Sequence, residues 1–98
     1  MRTGKIAGSK FMEAISWGKE VAAYVEKKHG TPKIHTWVES VGEINTIRWT
    51  MDCPDFATIE KAQLSLLGDQ DYWKMIAKAV SAGLFIDGQT HDTIYREV

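Results

Sequence analysis

Three side chains that can move protons or hold anions occur close together in the chain: His35, Glu39 and Arg48. A histidine exchanges a proton near neutral pH and can act as a general base. An arginine holds a carboxylate or phenolate oxygen through parallel hydrogen bonds. We therefore take His35 and Arg48 as candidate catalytic residues, and Glu39 as a ligand-binding residue that orients the histidine or pairs with the arginine. The alternative is a structural polar cluster in an interface, since ion-pair networks are often structural.

Aromatic residues give this small chain a large apolar surface, with 4 tryptophans among 98 residues. Trp37 lies on the same run as the polar residues, and we expect it to line a ligand pocket. Trp17 and Tyr24 lie on the border of the apolar stripe of a predicted helix, where they would rim the cavity or an interface and contact the ligand. Trp49 and Trp73 fall on predicted apolar faces and are expected in the core.

Signals for a metal or a cofactor are missing. The one cysteine, Cys53, excludes an internal disulfide and a cysteine-rich metal site. His35 and His91 lack a spacing such as H-x-x-x-H that would support a metal site, and no histidine stands out as a haem ligand. There is no glycine-rich phosphate loop either. We therefore expect neither a metal nor a cofactor.

Length and composition exclude several classes of protein. The chain has 98 residues, 44% hydrophobic and 26% charged, which is typical of one soluble globular domain over residues 1–98. A balance of 12 basic and 13 acidic residues gives a net charge of −1 and argues against nucleic-acid binding. No apolar run reaches the ~18–20 residues of a membrane span. Without an apolar leader, and with a single cysteine, the expected location is the cytoplasm.

The hydrophobic periodicity predicts an α+β chain. Helical spacing occurs over 10–29, 56–67 and 70–82, and strand-like runs occur over 2–7, 33–41, 43–53 and 90–98. The order is that of a ferredoxin-like β-α-β-β-α-β sandwich. We expect a four-stranded antiparallel sheet with the helices on one face.

The two central runs are predicted to form a hairpin whose two faces both look buried. With a two-residue turn at Val41-Gly42, His35 lies opposite Arg48, and Ile34 lies opposite Trp49. The face expected beneath the helices carries Ile34, Thr36, Val38, Asn45, Ile47, Trp49 and Met51. The other face carries His35, Trp37, Glu39, Ile44, Thr46, Arg48 and Thr50. Because a solvated face rarely presents Trp and Ile among branched residues, we expect a second copy to cover it and form a homodimer.

Two segments carry a family resemblance. Gly42-Glu43-Ile44-Asn45-Thr46-Ile47-Arg48-Trp49 and Gly68-Asp69-Gln70-Asp71-Tyr72-Trp73 resemble the glycine-x-x-asparagine strand and the acidic-x-x-tryptophan helix start of NIPSNAP-type proteins. The order of elements is similar to the dimeric α/β-barrel superfamily of ferredoxin-like domains, which also contains antibiotic-biosynthesis-monooxygenase-like domains. The resemblance implies that two sheets face each other across a homodimer as a dimeric α/β barrel, each enclosing a pocket.

Three functions follow as expectations. The first is binding of a small organic molecule, aromatic or anionic, in a pocket between sheet and helices or at the dimer interface. The second, implied by the resemblance, is cofactor-independent oxygenation or isomerisation of a small aromatic or polyketide-like compound. There the base makes a reactive anion and Arg48 stabilises it. The third is a structural or interaction module with no substrate, because a shared fold does not fix a function.

Overall fold

The computed structural model describes residues 1–98 and shows one sheet with its helices. The elements are β1 (Arg2–Ile6), a short 3-10 turn (Gly8–Lys10), α1 (Phe11–His29), β2 (Ile34–Val38), β3 (Thr46–Met51), α2 (Phe56–Leu67), α3 (Gln70–Ser81) and β4 (Phe85–Asp92). The four strands are ordered β2-β3-β1-β4 and every neighbouring pair is antiparallel. This is the sheet order of a ferredoxin-like sandwich, so the predicted fold class is confirmed.

The helices begin and end at residues whose local chemistry dictates it. Asp55 and Asp69 cap α2 and α3 by accepting the backbone N–H groups of Thr58 and Tyr72 at 2.8 and 3.1 Å. α1 ends at Gly30, which has a φ of 60° that residues with a side chain rarely adopt. These short-range signals explain why the helix boundaries lie close to the predicted ones.

The core lies between the sheet and the two helices α1 and α3. Its centre contains Ile6, Ala14, Val21, Ile47, Tyr72, Ala79 and Leu84. Trp17 meets the rings of Trp49 and Phe85 edge-on, at centroid distances of 6.2 and 5.4 Å. α1 approaches β3 closely at Gly18, where an added Cβ would lie 2.7 Å from Cδ1 of Ile47. This face is therefore filled by aromatic and branched side chains.

The predicted hairpin register is wrong by two positions, although the alternation between faces holds for the residues within the two strands. His35 lies opposite Thr50, and Arg48 lies opposite Trp37. The strands stop at Val38 and resume at Thr46, so a seven-residue connection of 39–45 replaces the two-residue turn. A shift by two residues keeps every side chain on its own face because strand side chains alternate with a period of two.

The last strand begins earlier than predicted. β4 covers Phe85–Asp92, and the residues after Asp92 form no strand. Gly88 lies inside this strand and has a φ of 76°. The register with β1 shifts between Gly4 and Ile6. Gly88 therefore lies at an irregularity of the β1–β4 pairing, where the backbone adopts a positive φ that glycine tolerates.

Trp73 differs from its prediction as well. It was expected in the core, but it is 46% exposed and donates its indole N–H to the Leu67 carbonyl oxygen at 3.3 Å. The buried residues of α3 are Tyr72 and Ala79, so the buried side of the helix passes through Tyr72 rather than Trp73.

No helix is both long enough and apolar enough to cross a lipid bilayer.

Candidate functional site

The face of the sheet opposite α1 and α3 carries most of the predicted site residues, and we call it the open side of the sheet. A row of direct cross-strand neighbours runs over all four strands: Trp37, Arg48, Thr3 and His91. Trp37 is 55% exposed, which is unusual for so large an apolar side chain. We call the side chains of His35, Trp37, Glu39, Arg48, Thr50, Thr3 and His91 the open face.

Arg48 is held in one orientation by two neighbours. Its Nε and Nη2 donate to Oε1 of Glu39 at 3.1 and 2.6 Å, and its Nη1 donates to Oγ1 of Thr3 at 3.0 Å. Both charged side chains are mostly shielded, with 30% of Arg48 and 22% of Glu39 exposed. Three of the five N–H groups of a guanidinium are thereby used, which leaves two for another acceptor.

The charges of this pair stabilise each other. Hydrogen bonds from Arg48 and from the backbone N–H of Glu43 lower the pKa of Glu39. The same carboxylate raises the pKa of Arg48. Both groups therefore stay ionised over the whole neutral range. An anion that approaches Arg48 meets a guanidinium that already has a carboxylate partner.

His35 and Trp37 form the aromatic part of the open face. Their ring centroids are 5.9 Å apart, and the rings are tilted by 36°. The indole N–H of Trp37 donates to Oγ1 of Thr50 at 2.7 Å, which fixes the ring over the sheet. His35 is diagonal to Arg48 across the strand pair rather than opposite it. Diagonal neighbours lie roughly 7–8 Å apart, a distance that one small molecule can bridge.

Trp17 and Tyr24 lie on the other side of the sheet. Trp17 is 9% exposed and donates its indole N–H to the Met75 carbonyl oxygen at 3.0 Å. Tyr24 donates its hydroxyl to Asp69, the cap of α3. The structure thus brings together His35, Trp37, Glu39 and Arg48, but not Trp17 and Tyr24. The ligand-binding and catalytic roles of all six residues stay predictions.

A second polar cluster surrounds the buried carboxylate of Asp69. It accepts the Tyr24 hydroxyl at 2.8 and 2.9 Å, Nε2 of His29 at 2.7 Å and the Tyr72 backbone N–H at 3.1 Å. Burial acts to raise the pKa of Asp69, but the hydrogen bonds outweigh it and hold the value at about 2. The hydrogen bond between Tyr24 and Asp69 in turn raises the pKa of Tyr24 to about 12. This cluster joins the end of α1 to the start of α3.

The structure contains no group of three or more His, Cys, Asp or Glu side chains that could hold a metal ion. Two depressions on the surface are open to solvent. One lies on α2 beside Glu60 and Leu64, and the other lies between α1 and α3 beside Met12 and Lys78. Neither includes a residue of the open face. The space between helices and sheet is occupied by the side chains of Trp17, Trp49 and Phe85.

Sequence reasoning missed Thr3 and His91 as members of the open face. Both could have been found only by pairing β1 with β3 and β4, which the ferredoxin-like order implies. It also missed the contact of Tyr24 and His29 with Asp69. The signals were only local: Tyr24 lies on the border of the apolar stripe of α1, and His29 lies at the end of that helix.

Comparison with known proteins finds that this chain is similar to two of them in structure. Neither a family model nor a curated protein matches this sequence. A solved structure of an uncharacterized NIPSNAP domain protein from Burkholderia xenovorans is 12% identical, with a TM-score of 0.78 over 99% of this chain and 90% of that one. A NIPSNAP family protein from Agrobacterium tumefaciens is 16% identical, with a TM-score of 0.73 over 92% and 82%. The chain therefore has a NIPSNAP-like ferredoxin-like fold.

Proposed function

We propose that two copies of this chain pair through their open faces and bind a small organic molecule between them. The proposed ligand carries an aromatic ring and an anionic or phenolic oxygen. The observation that carries the proposal is the shielded, oriented Arg48 beside the exposed Trp37, on a sheet face that no helix covers. An apolar surface with a few oriented polar groups is the usual lining of a ligand site once it is covered.

The interface is favoured over a pocket beneath the helices. The helix side is filled by Trp17, Trp49 and Phe85, whereas on the open face Trp37 stays 55% exposed. A second copy supplies a cover of the same shape, and two-fold pairing repeats each contact. Such a pair would place two copies of Trp37 and Arg48 around one enclosed space.

Each group of the open face has a role in binding. The two remaining N–H groups of Arg48 would hold the ligand oxygen. The ring of Trp37 offers a flat surface on which an aromatic ligand stacks. If the protein is an enzyme, His35 accepts a proton from the bound molecule and Arg48 stabilises the anion that results. This would suit the cofactor-independent oxygenation or isomerisation implied by the family resemblance.

The second candidate function is a structural or interaction module with no substrate. The observation that favours it is the bond between Arg48 and Glu39, because the carboxylate already satisfies much of the guanidinium. In this case the open face is an interface whose polar groups fix the pairing register. Removal of Arg48 would then weaken the association of the two copies, and no ligand binding would be lost.

The test is a thermal-shift screen of small aromatic acids and phenols, followed by calorimetric titration of each hit. Arg48→Met keeps the aliphatic stem but loses the charge and the donors. We expect it to weaken binding by about 1.5–3 kcal/mol, the usual loss for a hydrogen bond to a charged group. Lys19→Met, on the exposed outer side of α1, is the matched control and should leave binding unchanged.

Glu39→Gln separates the two candidate functions. If Arg48 binds an anion, removal of the competing carboxylate should strengthen binding several-fold. If the ion pair of Arg48 and Glu39 is only structural, Glu39→Gln should weaken the association of the two copies, and the screen should find no ligand. A hit that binds wild type and Arg48→Met with equal affinity would remove Arg48 from the site. A hit that survives Arg48→Met but is lost in Trp37→Ala would leave an aromatic site without an anion holder.

A further inference from the structure

Thr3 has an unused hydroxyl hydrogen beside Arg48. The two residues lie opposite each other in the pairing of β1 with β3, and Oγ1 of Thr3 accepts a hydrogen bond from Nη1 of Arg48 at 3.0 Å. A hydroxyl group also has one hydrogen that it can donate, and this hydrogen turns freely about the C–O bond. Thr3 occurs only as an acceptor in the hydrogen bonds of its side chain. Its hydrogen is therefore available to a molecule bound at Arg48.

The free donors of Thr3 and Arg48 form one group. Arg48 keeps two N–H groups after its bonds to Glu39 and Thr3, and the hydroxyl of Thr3 adds a third donor 3.0 Å from Nη1. The planar fork of a guanidinium matches the two oxygens of a carboxylate, which accept in parallel. A phenol has a single oxygen and cannot use this fork in the same way. The arrangement of donors therefore favours an acid group with two oxygens.

Lys5 adds a second positive charge close by. It follows Thr3 by two residues on β1, so both side chains lie on the open side of the sheet. Its Nζ donates to one backbone carbonyl oxygen of the connection between β2 and β3 at 2.8 Å. Together with the hydrogen bonds from Arg48 and from the backbone N–H of Glu43, the charge of Lys5 lowers the pKa of Glu39. The carboxylate of Glu39 therefore faces two cations, not Arg48 alone.

We propose that the ligand of the open face is an aromatic carboxylic acid, and that Thr3 is the residue that favours the carboxylate over a phenol. This inference rests on the proposed function, in which Arg48 holds the acidic group and Trp37 contacts the ring. It adds a class of ligand and a specificity-determining residue to that function. Arg48 alone can bind either kind of oxygen, whereas the hydroxyl of Thr3 distinguishes them by the strength of its hydrogen bond.

The charge of the acceptor is the physical basis of this preference. At neutral pH a carboxylic acid is ionised and a phenol is not, because their ordinary pKa values are near 4 and near 10. A hydrogen bond to an ionised acceptor is roughly twice as strong as one between neutral groups. The hydroxyl of Thr3 therefore stabilises a bound carboxylate more than a bound phenol.

The order of residues across the sheet suits a ring attached directly to the acid group. Trp37 lies opposite Arg48 on one side, and Thr3 lies opposite Arg48 on the other. Neighbouring strands are ~4.8 Å apart. An acid group held between Arg48 and Thr3 therefore places its ring toward Trp37, where the exposed indole offers a stacking surface.

The experiment measures the dissociation constants of naphthoate and naphthol, which share one ring system, by titration calorimetry at neutral pH. Wild type should bind naphthoate at least about tenfold more tightly than naphthol. Thr3→Val keeps the shape of the side chain but removes the hydroxyl. It should weaken the binding of naphthoate by at least about tenfold and that of naphthol by no more than about threefold. Thr3→Ser restores the hydroxyl and should bind naphthoate within about threefold of wild type.

Thr90→Val is the matched control. Thr90 is exposed on β4 and lies opposite Gly4, on the other side of the sheet from Thr3. This variant should bind both compounds like wild type. Circular dichroism and sedimentation should show that all variants keep the fold and the mass of wild type. Thr3→Ala also lacks the hydroxyl and gives the same comparison if valine disturbs the strand.

The ratio of the two affinities decides the inference. Equal losses of naphthoate and naphthol in Thr3→Val would mean that Thr3 only orients Arg48, and the inference would be wrong. A wild type that binds naphthol as tightly as naphthoate would contradict it as well.

Arg48→Met separates this inference from the proposed function. If Arg48→Met weakens the binding of naphthoate while Thr3→Val leaves it unchanged, the binding site stands and Thr3 has no part in specificity. If neither variant changes the binding of naphthoate, the acid group lies elsewhere and both proposals fail. A wild type that binds neither compound contradicts both.

Discussion

Arg48 shows how one side chain can be both fixed and available. Its bonds to Glu39 and Thr3 set the direction of the guanidinium group and leave two N–H groups free. The sequence predicted that the arginine, the glutamate and Trp37 share a face, because strand side chains alternate. It placed His35, rather than Trp37, opposite Arg48, because the length of the connection between the strands has no clear local signal.

The two tryptophans Trp49 and Trp73 should differ sharply in their effect on stability. Trp49 packs against Trp17 and Phe85 and donates to the Gly18 carbonyl oxygen at 3.1 Å. Trp49→Ala should lower the free energy of unfolding by about 3 kcal/mol, the lower end for large aromatic residues in a core.

Trp73→Ala is the control and should cost less than about 1 kcal/mol, because its ring is half exposed. Denaturant unfolding at one fixed protein concentration measures both values. Equal losses for the two variants would contradict the assignment of Trp49 to the core.

The buried carboxylate of Asp69 should make stability depend on pH in the acid range. Its pKa is about 2 in the folded protein and near 3.8 in the unfolded chain. A lowered pKa means that the ionised group stabilises the fold above pH 3.8, and that this contribution is lost as the pH falls through 2.

Thermal unfolding of wild type and Asp69→Asn between pH 2 and 7 tests this dependence. The difference in melting temperature should be largest at neutral pH and shrink below about pH 4. Asp71→Asn, which is exposed, should melt like wild type throughout. A constant difference between wild type and Asp69→Asn across the range would show that the charge of Asp69 is not involved.

At the scale of elements, the close packing of α1 on β3 depends on Gly18. An added Cβ would lie 2.7 Å from Cδ1 of Ile47 and 3.1 Å from the ring of Trp49. Gly18→Ala gains up to about 1 kcal/mol of helix propensity. The crowding costs about 1–3 kcal/mol, so the net effect should be a destabilisation of about 1 kcal/mol.

Gly8→Ala is the matched control, because nothing lies within 4 Å of the added Cβ. It should leave the unfolding midpoint unchanged or raise it slightly. A stabilised Gly18→Ala variant would mean that α1 moves away from β3 without loss of packing.

The elements that the sequence predicted well are those with local signals. α2 and α3 begin after Asp55 and Asp69, which cap them, and α1 ends at a glycine. The connection between β2 and β3 is set instead by a side chain. The carboxylate of Glu39 accepts the backbone N–H of Glu43, and Asn45 adopts a φ of 60°. Such a contact forms only in the folded loop, so no pattern of residue types predicts it.

The contact of Tyr24 and His29 with Asp69 is of the same kind. It joins residues that are 45 and 40 positions apart in the chain. Each had a local explanation from the sequence, as a border residue, a helix end or a cap. Their meeting depends on how α1 and α3 pack, which is a property of the tertiary structure.

At the scale of the whole molecule, the two faces of the sheet differ in what packs on them. The face beneath α1 and α3 gives the chain its core, and the open face carries the polar and aromatic groups of the candidate site. The ferredoxin-like fold leaves this face uncovered because both crossover connections lie on the same side of the sheet.

The most direct test of this account is the mass of the protein in solution, measured by sedimentation equilibrium at micromolar concentration. We expect wild type to have twice the chain mass of 11.0 kDa. Trp37→Glu should have the mass of a single chain, because it places a charge at the centre of the paired open faces. A wild type of 11.0 kDa, or a Trp37→Glu variant that pairs as tightly as wild type, would contradict the pairing of open faces.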